Sequence, residues 1–458
     1  MMYQKSVFLF RRDLRLHDNT GLIQAQKESK AVSPLFILDD DIFHRIQQTR
    51  RNLIQFMFDS LSDLDGQLNE KNASLVLLRG SPTSVLDEIL KENENIQSVQ
   101  VNADYTPYSI HRDEKIRSVC EENGVTFQQH EDLLLVEPHE IRTSSGTPYK
   151  VFTPFYKKAI QKNVPKPKIN GDSNFKQIDS KFLVGDDVFD ELLPEKNNEI
   201  DQEGGRGRAL EILGNLKHYK DYEQHKDIPA LRATTRLSAH NKFGTCSIRE
   251  AYWKIADSLG KFHPIIRQLY WRDFFTHVAF HWPHVYEHAF KRKYDAVEWS
   301  YNEAHFEKWC SGATGFPIVD AGMRQLNTTG FMHNRVRMIV ASFLAKDLHI
   351  DWKWGEKYFT DLLIDYDPAV NNGNWQWAAS TGCDAQPYFR IFNPWSQQKK
   401  FDPDCVYIKR WIPELADVSP AVIHRLDKKH SEIDITYPKA MVDHSKERER
   451  ALASFKSI

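Results

Sequence analysis

The first 130 residues alternate short apolar runs with amphipathic stretches, and this alternation limits the possible folds more than any other feature. Apolar runs typical of buried strands occur at residues 6–10, 31–38, 74–78, 96–101, 125–127 and 133–136. Helical patterns lie between them, as at residues 47–70 and 82–91. Short apolar strands that alternate with helices predict a doubly wound parallel sheet with helices on both faces.

The composition and periodicity of the chain change after this region. From residue 163 to residue 207, proline, glycine and charged residues accumulate without periodicity, which is typical of a linker. Helical patterns then continue almost to residue 458. We therefore expect an α/β, Rossmann-like domain at residues 1–130, an interdomain linker at 131–207, and an all-helical domain at 208–458.

Composition restricts the cellular setting. The five cysteines form no CxxC pair and their number is odd, which favours reduced thiols and gives no metal-binding pattern. The first ten residues lack the apolar run of a signal peptide, and no stretch approaches the roughly 20 apolar residues of a membrane span. We expect a soluble monomer in the cytoplasm, or in the nucleus or an organelle of a eukaryote. The net charge of −2 gives no evidence for or against a nucleic-acid partner.

The tryptophans are unevenly distributed, since the first of eleven is Trp253. A bulky helical core would account for them, and so would a flat aromatic ligand or an electron-transfer role. In the α/β domain, neither GxGxxG nor GxxxxGK[ST] is present, so the usual phosphate-binding loops are missing.

The most informative segment spans residues 352–397. Acidic and amide residues there alternate with large rings: Asp365, Asp367, Asn371, Asn372 and Asn374 precede or flank Trp375 and Trp377. Buried amides need hydrogen-bond partners, so they suit the rim of a flat, polar-edged heterocycle better than a plain core.

This segment closely resembles the flavin-binding core of DNA photolyases and cryptochromes, through NNGNWQWAASTG at 371–382 and YFRIFNP at 388–394. Further matches are FRRDLRLHDN at 10–19, TTRLS at 234–238, YWRDFF at 270–275 and TGFPIVDAGMRQLNTTGFMHNRVRM at 314–338. The resemblance covers nearly the whole chain. It implies light-dependent repair of cyclobutane pyrimidine dimers in UV-damaged DNA by electron transfer from excited reduced FAD, the reaction of a deoxyribodipyrimidine photo-lyase.

The resemblance places FAD in the helical domain. The implied cofactor-binding residues are Tyr222, Thr234, Thr235, Arg236, Leu237, Ser238, Trp271, Arg272, Asn334, Arg335, Asp365, Asp367 and Asn371. From the residues alone, the hydroxyls at 234–238 could hold a diphosphate or cap a helix. An Arg272–Asp365 pairing could likewise hold the cofactor or be a structural ion pair.

Asn371 matches the position that faces the flavin N5 in this family. An amide can accept a hydrogen bond from a protonated N5, which favours the fully reduced flavin required for repair. Trp299, Trp352 and Trp375 match the family's chain of electron-transferring tryptophans. For the other tryptophans, core packing is the simpler interpretation.

The lesion pocket is implied by a third group of residues. Trp271 and Trp377 match its aromatic walls, and Met338 matches the methionine of dimer-specific enzymes. HNRVRM at 333–338 lacks the second histidine of (6-4) photolyases, which favours cyclobutane dimers. Gln268 departs from this pattern, because dimer-repairing relatives usually carry glutamate there and (6-4) photolyases carry glutamine. A (6-4) photolyase and a photoreceptor without repair activity are the alternatives.

Two further sets complete the expected sites. The residues expected at the DNA backbone or the pocket mouth are Lys226, Gln268, Arg335, Arg337 and Gln397. Arg51, Asp104 and Lys242 resemble a site for a second, light-harvesting chromophore in the α/β domain, of the 8-hydroxy-5-deazaflavin type rather than folate. Ordinary surface charges would also explain these three residues, and a folate or an empty cleft is left as an alternative.

Overall fold

The computed structural model describes residues 2–40, 42–43, 49–171, 173–185 and 187–458. Its amino-terminal part is a five-stranded parallel sheet with strand order β3-β2-β1-β4-β5. The strands are β1 (Lys5–Phe10), β2 (Val32–Leu38), β3 (Val76–Arg79), β4 (Ile96–Asn102) and β5 (Thr126–His130). The helices between them are α1 (Thr20–Glu28), α2 (Arg51–Asn69), α3 (Pro82–Glu92) and α4 (Pro107–Glu122). The predicted doubly wound parallel sheet is confirmed.

Two local predictions differ from the structure. Residues 133–136 are not a strand, because the N–H groups of Leu135 and Val136 donate instead to the Asp273 carboxylate in the helical part, at 3.0 and 3.1 Å. The apolar residues of this segment are buried against helices rather than paired in the sheet. The helix predicted at 47–70 begins at Arg51, and residues 47–48 lie outside the described residues.

The segment after the sheet returns to it twice. It contains two short helices, α5 (Phe152–Ala159) and α6 (Asp187–Leu192). Phe175 forms an isolated parallel bridge with Val32, and Leu183 forms an antiparallel bridge with Leu78. The segment therefore runs along the sheet before it enters the helical part.

The remaining chain is helical. Its α-helices are α7 (Arg206–Gly214), α8 (Tyr222–His225), α9 (Ser238–Phe243), α10 (Ile248–Leu259), α11 (Pro264–His281), α12 (Glu303–Ser311), α13 (Pro317–Thr329), α14 (Asn334–Lys346), α15 (Trp352–Leu362), α16 (Pro368–Ala379), α17 (Pro394–Phe401), α18 (Val406–Trp411), α19 (Pro420–Ile423), α20 (Leu426–Lys429) and α21 (His444–Lys456). Short 3₁₀ helices occur at Leu216–Tyr219, Pro283–Tyr286, Arg292–Ala296, Pro413–Leu415 and His430–Glu432. Within the described ranges, no helix has the length and apolarity needed to cross a membrane.

A buried ion network joins the α/β part to the helical part. Arg15 and Asp18 lie after β1, Asp132 lies after β5, and Arg249 lies in α10. Asp132 accepts from both Arg15 and Arg249, at 2.5 and 2.7 Å, and Arg249 also donates to Asp18 at 2.9 Å. All four side chains are at most 10 % exposed. Buried charges are tolerated only when paired, so this network holds the two parts in one arrangement.

Candidate functional site

Helix α16 carries the amides that the sequence analysis singled out. Pro368 occupies its first turn and Asp367 caps it, accepting from the N–H groups of Ala369 and Val370 at 3.1 and 3.3 Å. An acidic cap followed by proline is a favoured helix start. The cap places Asn371 one turn into the helix, where it is buried against α15.

The amide of Asn371 has a defined orientation. Its Nδ2 donates to the backbone oxygen of Glu356 at 3.1 Å and lies 3.4 Å from Thr360 Oγ1. Both donor hydrogens are thereby directed at α15. In the described part of the chain, Oδ1 of Asn371 accepts no hydrogen bond. The side chain is therefore an open acceptor on the side away from α15.

Glu356 supports this arrangement, and sequence reasoning assigned it no role. Its carboxylate accepts from Asn372 at 3.0 Å, and Gln376 in turn donates to Asn372 Oδ1 at 3.1 Å. Asn372 and Gln376 also donate to the Val285 backbone oxygen. Burial raises the pKa of Glu356 to about 7. A glutamate inside the aromatic stretch DWKWGEKYF was the available indication, because an ionisable residue buried among rings needs partners.

Asp365 does not form the expected pair with Arg272. Its Oδ2 accepts from Arg337 at 2.9 Å, whereas Arg272 donates to the backbone oxygens of Leu133 and Asn241 at 2.8 and 3.3 Å. Arg337 comes within reach because α14 lies beside the loop between α15 and α16. Oδ1 of Asp365 is buried without a hydrogen-bond partner.

The TTRLS segment leads into α9 without capping it. The position before the helix is Leu237, and no side chain caps the first turn. Thr235 Oγ1 lies 3.5 Å from the Leu237 nitrogen, a long contact. Arg236 has a φ of +56°, pairs with Asp201 and lies over the Phe331 ring at 4.9 Å. Its Nε is buried without a partner, so a donor remains open.

The α/β part approaches α16 through Arg12, a residue of the FRRDLRLHDN segment to which no role was assigned. Arg12 donates to Asp367 and lies 3.5 Å from Asp104. Burial opposes the charged form of Asp104, but Arg12 and Lys242 outweigh it and lower the pKa of Asp104 to about 2. Burial, reinforced by Arg12, lowers the pKa of Lys242 to about 8.

Two of the three expected antenna residues, Asp104 and Lys242, therefore lie in one charged cluster where the two parts meet. Arg51 lies elsewhere: its guanidinium pairs with Glu195 at 3.2 Å, and both side chains are exposed. The neighbouring Arg50 acts on Lys242 instead and lies over the Tyr366 ring at 5.1 Å. Sequence reasoning missed Arg50.

A cavity of about 460 Å³ opens beside α11. Three expected lesion or DNA residues, Lys226, Gln268 and Trp271, line it. Trp271 stacks on Phe152 with 3.5 Å between ring centroids and 7° between planes, which presents a fixed aromatic wall. Gln268 is exposed, and its only hydrogen bond within the described residues runs from Nε2 to Pro264 O at 3.4 Å. Its amide is thus available to a ligand.

The other expected residues are not on the cavity lining. Asn334 is exposed and its Nδ2 lies 3.9 Å from the Met338 sulfur. Arg335 pairs with Asp227 at 2.9 Å and lies over the Phe401 ring at 4.4 Å. Burial raises the pKa of Tyr222 to about 12. Trp377 is partly buried against the helical core, and Gln397 Oε1 is buried without a partner.

The three tryptophans expected to carry electrons share one core. Trp352 and Trp375 are each 2 % exposed. Trp299 is partly buried against the same core, and its ring centroid lies 6.3 Å from that of Phe455. Trp309 also belongs to this core, and its ring centroid lies 6.1 Å from that of Trp375. Two buried rings and one ring near the surface are compatible with a path from the interior outward.

The residues fit an FAD molecule. A cofactor with a polar-edged ring system and a diphosphate needs both acceptors and donors, and the site holds unpartnered examples of each. Asp365 Oδ1 is a buried acceptor and Arg236 Nε a buried donor without partners, and Asn371 Oδ1 accepts no hydrogen bond among the described residues. Buried polar atoms without partners are rare unless a ligand or water completes them.

Two family models match parts of the chain. Residues 6–170 match the family model described as DNA photolyase, and residues 265–457 match the model described as the FAD binding domain of DNA photolyase. The deoxyribodipyrimidine photo-lyase of Vibrio cholerae is 37 % identical over 469 residues, covering 98 % of each chain.

Two solved structures extend the comparison. An archaeal photolyase from Sulfolobus tokodaii, solved with two FAD molecules, is 40 % identical with a TM-score of 0.89, covering 99 % of this chain and all of that one. A cryptochrome from Synechocystis sp. PCC6803 is 27 % identical with a TM-score of 0.89, covering 99 % of both chains.

Proposed function

Because this chain belongs to the DNA photolyase family and is an FAD-binding lyase, we propose that it repairs cyclobutane pyrimidine dimers by electron transfer from light-excited reduced FAD. The observation that carries the proposal is the orientation of Asn371. Its Nδ2 is committed to α15, so Oδ1 is directed away from that helix as an acceptor. An acceptor suits a protonated N5 and hence the reduced cofactor.

Residues on both sides of Asn371 would hold the cofactor. Asp365 has a free acceptor and pairs with Arg337, while Arg236 has a free donor. The hydroxyls of Thr234 and Ser238 are not used as helix caps and would bind the diphosphate. Tyr222, Leu237, Asn334 and Arg335 complete the proposed set. Asp367 and Arg272 are charged residues that would lie at the edge of the cofactor.

The cavity beside α11 would receive the lesion. A dimer must leave the base stack before chemistry can reach it, as in other enzymes that act on flipped bases. Trp271 offers an apolar face and Gln268 an amide that can donate or accept. Lys226, which pairs with Glu223 at 2.8 Å, would exchange this partner for a phosphate. Trp377, Met338, Arg337 and Gln397 remain proposed contributors from nearby elements.

Two alternatives rest on specific observations. Gln268, rather than glutamate, favours a (6-4) photolyase. The similarity to the Synechocystis cryptochrome extends over 99 % of both chains and is compatible with a photoreceptor. Met338 and the single histidine of HNRVRM favour the cyclobutane dimer.

We also propose that Trp375, Trp352 and Trp299 deliver electrons from the surface to the oxidised cofactor. Their burial decreases along that order, from 2 % exposure at Trp375 and Trp352 to partial exposure at Trp299. Buried rings keep their cation state away from water until the charge reaches the outer tryptophan.

A second chromophore would bind near Asp104 and Lys242, where the α/β and helical parts meet. Lys242, whose pKa is lowered to about 8, can donate hydrogen bonds to an anionic ring edge, and Asp104 can accept a hydrogen bond from a ring N–H. The Sulfolobus tokodaii relative contains two FAD molecules, which supports a second site. We retain 8-hydroxy-5-deazaflavin as the favoured chromophore, with a second FAD as the alternative. Arg51 would contact the second chromophore only if that chromophore extended to the surface near Glu195.

The proposed division of the chain follows function: residues 1–130 for the second chromophore, 131–207 as the connection, and 208–458 for FAD and DNA. The ion network of Arg15, Asp132 and Arg249 joins the first and last of these units.

Two measurements on the purified protein test the proposal. Denaturation should release FAD, identified by absorbance and mass. In darkness, the reduced protein should bind an oligonucleotide with one cyclobutane dimer more tightly than the undamaged or the (6-4)-containing oligonucleotide. A flavin-free protein after reconstitution, or equal affinity for all three oligonucleotides, would contradict it.

A further inference from the structure

Phe262 is an apolar side chain in an unusual place. Its ring is 78 % exposed, although phenylalanine is ordinarily among the residues most often buried. It lies between α10 and α11, and it lines the cavity that also holds Gln268 and Trp271. The exposed ring is thus part of the rim of the proposed lesion pocket, at the surface that DNA must approach.

The local backbone fixes this exposure. Gly260 has a φ of +101°, which a residue with a side chain rarely adopts, and the His263 N–H donates to the Gly260 oxygen at 3.0 Å. His263 then caps α11, and Pro264 occupies its first turn. Phe262 therefore stands at the tip of a closed four-residue turn anchored to the helix that carries Gln268 and Trp271. The backbone that carries the ring is therefore held in place by the turn and by the start of α11.

The residues around Phe262 resemble those of surfaces that bind unpaired nucleic acid. Lys226 and Arg267 line the same cavity. Arg267 lies over the rings of Phe152 and Tyr156, at 5.3 and 5.6 Å, which holds its guanidinium in place. Proteins that bind unpaired bases combine cations that follow the phosphates with aromatic rings on which bases stack. Phe262 provides the ring and Arg267 provides the charge, whereas Lys226 is already paired with Glu223 on the same lining.

We propose that Phe262 stacks on a nucleobase beside the flipped-out lesion and thereby stabilises the extruded state. This inference rests on the proposed function, since it requires damaged DNA in the cavity. Extruding a dimer breaks stacking with its neighbours, and an exposed ring at the pocket rim would replace part of the lost contact. Phe262 is a positioning residue for the substrate, while Trp271 and Gln268 face the lesion itself.

The test is dark equilibrium binding of the reduced, FAD-containing protein to an oligonucleotide with one cyclobutane dimer, using wild type, Phe262→Leu and Phe262→Trp. Leucine keeps apolar bulk but cannot stack, whereas tryptophan can. We expect Phe262→Leu to raise the Kd about fivefold or more, and Phe262→Trp to keep the wild-type Kd, as base stacking on a ring requires. A 2-aminopurine beside the dimer should fluoresce more strongly with Phe262→Leu, because the base loses its stacking partner.

Ile169→Ala is the matched control, because Ile169 is 82 % exposed and lies outside the cavity lining. It should bind like wild type. A Phe262→Leu protein with wild-type Kd and unchanged 2-aminopurine fluorescence would overturn the proposal. Failure of the wild-type protein to prefer the lesion would instead refute the proposed function, and this contact with it.

Discussion

Arg12 donates a charge-assisted hydrogen bond to Asp367, and this contact joins residues 355 positions apart in the sequence. Arg12 follows the first strand of the sheet, whereas Asp367 caps the helix that carries Asn371. The contact therefore connects the α/β part directly to the proposed flavin site. Both side chains are nearly buried, at 12 % and 10 % exposure.

Removal of this arginine should destabilise the protein. Arg12→Met keeps most of the apolar stem but leaves the Asp367 carboxylate without its main partner, which for buried pairs costs about 3–5 kcal/mol. Lys242 and Arg272 remain near Asp367, so we expect a loss at the lower end, about 3 kcal/mol, in the free energy of unfolding. Arg51→Met removes an exposed pair with Glu195 and should cost less than about 1 kcal/mol.

The difference in the free energy of unfolding between wild type and Arg12→Met should depend on pH in a defined way. Burial opposes the charge of Asp367, but Arg12 and Lys242 outweigh it and hold its pKa below the usual carboxyl range. A depressed folded-state pKa stabilises the protein above the unfolded-state pKa, about 4, and this stabilisation is lost as the pH falls through the folded-state value. The difference between wild type and Arg12→Met should be constant from about pH 5 to about pH 7 and should shrink below about pH 4 in urea titrations. A difference that grows with acid would contradict the ion pair.

Asn371→Leu should make the flavin harder to reduce. The variant removes the acceptor Oδ1, and one hydrogen bond is worth about 0.5–1.5 kcal/mol, which corresponds to about 10–30 mV for a two-electron couple. The midpoint potential, measured by spectroelectrochemistry, should therefore fall by that amount. Asn374→Leu is the control, because Asn374 is exposed on the same helix and bonds only to the Val370 oxygen among the described residues. Equal shifts in both variants would remove Asn371 from its proposed role.

Trp375→Phe should abolish light-driven reduction of the oxidised flavin, because phenylalanine is much harder to oxidise than tryptophan. The chemically pre-reduced variant should still repair DNA, since repair does not need this path. Trp309→Phe is a matched control: Trp309 is also buried and contacts Trp375 at 6.1 Å, but it lies outside the proposed path. Transient absorption after a blue flash measures both. Normal photoreduction in Trp375→Phe would contradict the assignment.

Gln268→Glu should strengthen dimer binding. A hydrogen bond to a charged group contributes about 1.5–3 kcal/mol, and the exposure of Gln268 in an open cavity reduces this gain. Arg267 on the same cavity would attract the new carboxylate and Glu223 would repel it, so the expected gain rests on the bond to the lesion alone. We therefore expect a Kd for dimer-containing DNA up to about tenfold lower, and an unchanged Kd for undamaged DNA. Weaker binding of the dimer would show that the neutral amide is the better partner.

The sheet could be predicted because apolar runs of strand length are frequent only where strands are buried on both faces. Residues 133–136 show the limit of that reasoning. Their apolar side chains indicate burial, but burial against α11 satisfies their N–H groups through Asp273 rather than through a neighbouring strand.

The site divides in the same way. Asn371 could be singled out because its motif is local, whereas the orientation of its amide depends on Glu356 and Thr360 in another helix. The partner of Asp365 could not be deduced either, since Arg272 and Arg337 are equally suitable by charge and only packing brings Arg337 closer. Ion partners are chosen by tertiary geometry that residue spacing does not encode.

The most direct test of the account is product analysis after illumination. Purified protein with reduced FAD is mixed with oligonucleotides that carry either one cyclobutane dimer or one (6-4) product, in blue light and in darkness. The account predicts that thymines are restored only from the cyclobutane dimer and only in light. Repair of the (6-4) product alone would show that Gln268 outweighs Met338, and no repair of either lesion despite bound reduced FAD would contradict the account.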